Sequence, residues 1–502
     1  SEDDIANVRM VQALDPGRTL TYTSHISNAR NYWENRTPDP SKLHVLPFDR
    51  THYTAGWFDH HHWFRYPGYV DICYRNPRFF ARGVISGPTD IVPADSLHAL
   101  PRNEIIFWGE EGQWGTMMRL EKIRADIFRT GADGWREKML LSWYDRYDAF
   151  LDEAGFRSSF PTVDDLTLSM GRSLHYYHGR MLENARMGNL SDGFNLNGWA
   201  APETSEDIAD VYRYPTANPD ILSYYAKPLY IAVKIPDKVL QTGMSPRADF
   251  FIVNELDVKG KHMLEVACAD PGGVTVYAKS FPVNILGGEE YGQLLVEGVE
   301  LPPAERPGYY AVSAALRDQK GNTVASGHDD CYIVDLRAGP SVRGTAAVID
   351  TSGAVNSFLR EARGITLPSF DASKPDPDII IIGAHDFRAV SASYQSRYIN
   401  TILDRVANGT RLIVLDQADK WAELMADLFR HYSIEYKWSV RWGSDGRLIA
   451  GKSHALDGLP RSQALHWEYQ CLYHGDLWGL DITRLGTETI VAVRDPFEDL
   501  LQ

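Results

Sequence analysis

The segment most able to do chemistry is Ile105-Ile106-Phe107-Trp108-Gly109-Glu110-Glu111-Gly112-Gln113-Trp114-Gly115, where an apolar run ends in two carboxylates bracketed by glycines and tryptophans. Glycine at a strand end lets a substrate approach the backbone closely, and in a parallel β/α array the strand ends face the active site. A carboxylate so placed can attack a sugar's anomeric carbon, provided a second carboxylic acid stands about 5–5.5 Å away. An exposed acidic loop has the same composition. The segment alone leaves both readings open.

A second cluster runs Asp49-Arg50-Thr51-His52-Tyr53-Thr54-Ala55-Gly56-Trp57-Phe58-Asp59-His60-His61-His62-Trp63. Histidines can bond sugar hydroxyls, and aromatic rings can stack on a sugar face. Asp59 with His60, His61 and His62 also admits a metal, but adjacent side chains on an extended segment point to opposite sides. The run therefore reads as sugar-facing or packing, with neither metal nor cofactor. Gly193-Phe194-Asn195-Leu196-Asn197-Gly198-Trp199, taken alone, reads as a buried strand with a core Trp. Asp350-Thr351-Ser352-Gly353 opens a strand-to-helix turn that lacks both the dinucleotide-binding glycine fingerprint and the phosphate-loop Lys. No G-x-S-x-G elbow occurs and Cys471 is isolated, which disfavours nucleophiles of those kinds.

The elements that must position these residues follow from periodicity. Ile5, Val8, Val11 and Leu14 predict a helix stopped by Asp15-Pro16-Gly17. Strand-like runs follow near Leu20, at 43–48, 104–108 and 194–196, with helical patterns over 117–128, 134–154 and 169–186. Strands alternating with helices predict a parallel α/β arrangement. After Pro228 the runs become short and alternating, at 230–235, 249–254, 262–269, 308–317 and 331–334, which predicts a β-sandwich. Beyond Ala338-Gly339-Pro340-Ser341 the strands and helices alternate again, predicting a small doubly wound domain. The expected domains are thus 1–225, 226–337 and 340–502.

Composition agrees with a multidomain chain. Its 502 residues exceed the ~250–300 that one hydrophobic core supports. A net charge of −16 argues against nucleic acid and anionic membrane as partners. No apolar run approaches the ~20 residues of a membrane span. Cys73, Cys268, Cys331 and Cys471 lie too far apart in sequence to suggest a disulfide framework or a zinc site. The 13 Trp and 26 Tyr, weighted toward the first 230 residues, suit a surface that grips something flat and polar. Ser1-Glu2-Asp3-Asp4 has no signal-peptide character, and localisation stays open.

Taken in order, these motifs resemble the catalytic barrel of glycoside hydrolase family 2, the β-galactosidase, β-glucuronidase and β-mannosidase family. Leu14-Asp15-Pro16-Gly17-Arg18-Thr19-Leu20-Thr21-Tyr22-Thr23-Ser24 is similar to that family's helix end and fifth strand. Asp49-Arg50-Thr51-His52-Tyr53, with Trp57, is similar to its sixth strand; Trp108-Gly109-Glu110-Glu111-Gly112 falls at the seventh, and Phe194 to Trp199 at the eighth. The resemblance implies a retaining exo-β-glycosidase with Glu110 as nucleophile, Glu111 standing where the family has an aromatic residue. It implies Glu2 as the general acid, with Ser1 replacing the family's Asn. His52, Tyr53, Trp57, His60, Trp108, Trp114, Asn197 and Trp199 would shape the sugar pocket, and no cofactor is required.

The implied fold is the C-terminal half of a (β/α)8 barrel, then an immunoglobulin-like β-sandwich, then a flavodoxin- or amidotransferase-like α/β domain without catalytic residues. Half a barrel exposes two strand edges, so an N-terminal portion or a second chain is expected to complete it, and a homo-oligomer is compatible. The other reading is a non-catalytic carbohydrate-binding or assembly subunit of a larger glycoside hydrolase, which the departure at Ser1-Glu2 favours.

Overall fold

Periodicity and capping together set the bounds of the elements. The computed structural model describes residues 10, 13–14, 58–60, 106–111, 116–187, 193–196, 208–288, 291–338, 344–384, 392–415, 437–441, 448–461, 463–464, 466–469, 477–481 and 491–493. The strands expected near Leu20 and at 43–48 lie outside these residues. Strands β1 (Phe58–His60), β2 (Ile106–Glu111) and β3 (Gly193–Leu196) pair in that order as a parallel sheet. Between β2 and β3 stand α1 (Leu120–Thr130), α2 (Trp135–Glu153) and α3 (Val163–Met187).

Helix α1 buries Leu120, Ile123 and Ile127, one face at three- and four-residue spacing. It ends where Gly131 takes the left-handed conformation (φ 69°) and its N–H returns to the Ile127 carbonyl. Helix α3 begins six residues before the sequence periodicity predicts, and a capping box explains the extension. The Thr162 hydroxyl accepts from the Asp165 N–H at 3.1 Å, and the Asp165 carboxylate accepts from the Thr162 N–H at 3.0 Å. Around these helices Leu140, Leu151, Phe156, Phe160 and Leu166 form one apolar core.

Helix α4 (Pro219–Tyr225) starts on Asn218, whose side chain accepts from the Asp220 N–H, with Pro219 in the first turn. Strands β4 (Leu229–Lys234), β5 (Val239–Gln241), β6 (Arg247–Asn254), β7 (Gly260–Ala269), β8 (Thr275–Ile285), β9 (Gly292–Glu300), β10 (Gly308–Arg317) and β11 (Thr323–Val334) follow. They form a three-stranded sheet, β4-β6-β9, and a five-stranded sheet, β5-β11-β10-β7-β8. Their inner faces share one core that includes Ile231, Val233, Phe250, Ile252, Leu264, Val266, Val312 and Leu316. On β10 the buried Tyr310, Val312, Ala314 and Leu316 alternate with more exposed neighbours, the two-residue period of a strand with one face inward.

Each run that the sequence offered as a sandwich strand is one, but β8 escaped the pattern. Its first half is exposed on both faces and it contains Pro282, which a central strand would not tolerate. It lies at the edge of its sheet, where both features are permitted. Gly327 on β11 marks the tightest approach between backbones: a Cβ there would stand 1.6 Å from the Ile231 carbonyl oxygen. Gly327→Ala is therefore expected to destabilise by about 2 kcal/mol or more through forced backbone displacement, read as a fall in thermal midpoint; an unchanged midpoint would refute the close approach.

Residues 334–440 and 478–487 make a second unit. Strand β12 (Ala346–Ile349), α5 (Ala354–Arg363), β13 (Ile379–Ile382), α6 (Ala392–Ala407) and β14 (Arg411–Val414) alternate, and the three strands pair in parallel. Ile349, Ile380, Ile382, Ile399 and Ile402 form its core. The Asp350 carboxylate accepts from the Ser352 N–H at 3.0 Å and the Val355 N–H at 2.8 Å, occupying the start of α5 where a phosphate would otherwise sit. Strand β15 (Lys437–Arg441) is followed by β16 (Leu448–Ala450), β17 (Gln463–Ala464), β18 (Leu477–Asp481) and β19 (Val491–Val493). β15 pairs with β18, while β17-β16-β19 form a sheet whose residues group with the first unit.

Candidate active site at a parallel strand edge

Parallel pairing sends β1, β2 and β3 to the same edge, so their C-terminal residues are brought together by topology alone. His60, the last residue of β1, pairs with Trp108 of β2, and Trp108 pairs with Phe194 of β3. The register then shifts between Trp108 and Glu111, and Glu111 pairs with Leu196 at the end of β3. Glu110 and Glu111 thus end the middle strand, two and three residues beyond the His60–Trp108–Phe194 row. With strands about 4.8 Å apart and a rise of about 3.3 Å per residue, the His60 and Glu110 backbones lie roughly 8 Å apart. Ligand sites in open or closed parallel sheets form at this edge, because the crossover helices cover the faces.

Of the residues that the sequence nominates, His60, Trp108, Glu110 and Glu111 are thereby collected at one edge. Glu2, His52, Tyr53, Trp57, Trp114, Asn197 and Trp199 lie outside the described residues, as do His61 and His62. Among the described residues no group of three or more His, Cys, Asp or Glu converges as metal ligands would, and no helix is long and apolar enough to cross a membrane.

The helices between β2 and β3 are fastened at both ends. At the start, the Arg119 guanidinium makes two bonds of 2.5 Å to the Asp164 carboxylate and a third, of 2.9 Å, to the Pro215 carbonyl. Asp210, itself buried, accepts from the Arg119, Tyr212 and Tyr214 N–H groups, which closes the 208–216 turn onto α1. At the far end of α3 lies a feature that sequence reasoning missed: a buried ionic network between that helix and the sandwich. Arg180 donates to Glu183 and to Asp329 of β11, each at 3.0 Å. Lys234 of β4 pairs with Glu183 and donates to Asn184 at 2.9 Å, and Lys238 donates to Asp329 at 2.5 Å.

Burial, reinforced by Arg180, pushes the Lys234 ammonium down to about 8 despite its Glu183 partner. Burial acts the other way on Asp329, but Arg180 and Lys238 outweigh it and hold the carboxyl below its ordinary value. The available sequence signal was a polar stripe, Arg180, Glu183, Asn184 and Arg186, on a helix that mixes polar, aromatic and aliphatic residues. Nothing in that spacing distinguishes a buried stripe from a solvated one. The network fixes where α3 meets the sandwich, and α3 leads directly into β3.

No family model matches the chain, and no curated protein matches it. Solved structures do show weak likeness. A glycosyl hydrolase family 2 member from Bacteroides cellulosilyticus is 13% identical over 40% of this chain and 37% of its own, with a TM-score of 0.18. The exo-chitosanase CsxA of Amycolatopsis orientalis is 13% identical over 32% and 18%, with a TM-score of 0.22. A CARDB domain from Pyrococcus furiosus, crystallised with two metal ions, is 16% identical over 21% and 91%, with a TM-score of 0.17. This chain therefore spans little more than a third of the first of these glycosidases and less than a fifth of the second. At TM-scores this low the likeness fixes neither fold nor chemistry, and the strand register and sequence motifs carry the functional reading instead.

Proposed function

We propose that this chain acts as a retaining exo-β-glycosidase of the family 2 type, β-galactosidase-like in its substrate class. The observation that supports it best is the parallel order β1-β2-β3, with Glu110 and Glu111 ending the middle strand and His60 ending its neighbour. That is the order in which the sixth, seventh and eighth strands of the resembled barrel would stand. In this reading Glu110 attacks the anomeric carbon and forms a glycosyl ester, while Glu2 gives its proton to the departing oxygen. Glu2 then takes a proton from water, whose oxygen displaces Glu110 and regenerates the carboxylate. His52, Tyr53, Trp57, His60, Trp108, Trp114, Asn197 and Trp199 bind and orient the sugar.

A fluorosugar with an activated leaving group tests this, because the fluorine slows both formation and hydrolysis of the ester while the leaving group restores only its formation. Intact mass should rise by one fluoroglycosyl group, and peptide mapping should place it on Glu110. Tight sugar binding without labelling would overturn the enzyme reading in favour of the carbohydrate-binding subunit, which Ser1 in place of the expected Asn favours.

A further inference from the structure

The segment that carries β17 and the residues after it returns to the first unit and lies along α3. The Ala464 N–H donates to the Ser169 hydroxyl at 2.8 Å. His466 is buried with its ring edge-on to Tyr176, centroids 4.4 Å apart, and to Tyr177 at 5.6 Å, and its Nδ1 stands 3.5 Å from the Ser173 hydroxyl. Trp467 is buried under the Lys238 ammonium, which lies 4.3 Å from its ring centroid. Glu468, 8% exposed, accepts from the Tyr309 hydroxyl of β10 at 2.5 Å through Oε1. Its other oxygen, Oε2, is buried with no hydrogen-bond partner among the described residues.

These contacts place two ionisable side chains, two residues apart, in a buried seam where, among the described residues, neither makes a hydrogen bond to an oppositely charged group. Facing His466 are Tyr176, Tyr177, Ser173 and Arg172 from α3, with Lys238 from the sandwich side, so the nearby charges are cationic. Around Glu468 stand Tyr309 of β10, Asp330 and Tyr332 of β11, and Arg172 of α3. A buried carboxylate with one oxygen unbonded and Asp330 nearby is costly even with Arg172 in reach; so is a buried imidazolium near Arg172 and Lys238. Each is cheaper to bury neutral.

We infer that residues 463–464 and 466–469 form a pH-gated clasp on α3 and β10, closed while His466 and Glu468 are both neutral and released when either becomes charged. The two gates work in opposite directions. Burial, with Arg172 and Lys238 adding to it, holds His466 well below the ordinary 6.5, so its share of the clasp is present above that value and lost as pH falls through the lowered one. Burial raises Glu468 above the ordinary 4.5, so its share is present at low pH and lost as pH rises through the raised value. In water the same two side chains would both be charged between about 4.5 and 6.5. Docking favours the neutral form of each.

Hydrogen exchange tests the clasp in the full chain and needs no substrate. Protection of amides 463–464 and 466–469, corrected for the intrinsic exchange rate at each pH, should fall about tenfold or more as pH drops through the lowered His466 value and as it rises through the raised Glu468 value, while amides of β7 hold theirs. Glu468→Gln keeps the acceptor for Tyr309 but cannot ionise, so it should abolish the alkaline fall and leave the acid one. His466→Gln should do the converse. A profile that stays flat in the wild type, or an alkaline fall unchanged in Glu468→Gln, would overturn the inference, as would β7 losing protection in step with the clasp.

Discussion

Glu110→Gln is expected to lower turnover of an aryl β-glycoside by roughly three orders of magnitude or more, with the melting curve unchanged. The amide keeps the shape and most of the hydrogen bonding of the carboxylate but cannot form the glycosyl ester. Loss of a nucleophile removes the route itself, whereas loss of a positioning group only slows it, and this difference sets the size of the effect. Glu111→Gln is the necessary companion, because both residues end β2 and the register shift falls between Trp108 and Glu111. If Glu111→Gln is inactive and Glu110→Gln retains near-normal turnover, the nucleophile is displaced by one residue from the alignment. Glu110→Ala offers a further readout: azide can enter the space left by the truncated side chain and restore turnover with inverted product, which a merely structural glutamate would not permit.

Much of the fold was legible because local chemistry and tertiary structure agree. Gly308–Arg317, with its strict alternation, and the alternating strands and helices expected beyond residue 341 became the elements their patterns predict, β10 and the run β12, α5, β13, α6 and β14. The early start of α3 was also written in the sequence, as Thr162-Val163-Asp164-Asp165, but Asp in place of the usual Glu hides the capping box from a simple pattern. Edge strand β8 was hidden for the opposite reason, since a strand exposed on both faces carries no period. At the candidate site, sequence supplied Trp108, Glu110 and Glu111 as one motif, and the parallel pairing brought His60 to the same edge across nearly fifty residues of chain. The ionic network could not be read in advance. Its members sit on α3, β4, the turn before β5 and β11, and only folding shows that they share one buried space.

That network predicts the largest stability effect in the molecule. Asp329 is the single carboxylate that joins Arg180, at 3.0 Å, to Lys238, at 2.5 Å, and all three are buried. Asp329→Asn keeps the volume but leaves the two cations facing a neutral amide, and removing one partner from a buried pair typically costs about 3–5 kcal/mol. Local opening of β11 should become easier by a comparable amount, a loss of amide protection of about a hundredfold or more. Lys234→Met should behave differently although Lys234 is just as buried. Arg180, Lys234 and Lys238 are three buried cations against two buried carboxylates, Glu183 and Asp329, with the more exposed Asp330 3.8 Å from Lys238, and Glu183 keeps its 3.0 Å bond from Arg180 when Lys234 is gone. Removing the surplus cation relieves its desolvation, so the change should stay within about 1 kcal/mol of the wild type or be favourable. The pH dependence separates charge from packing. Because Lys234 is pushed down from 10.5 to about 8, the unfolded chain binds the extra proton between those values and stability should rise across that interval. In Lys234→Met the rise should disappear. Equal destabilisation by Asp329→Asn and Lys234→Met, with the same pH slope in both, would mean that packing and not charge holds α3 against the sandwich.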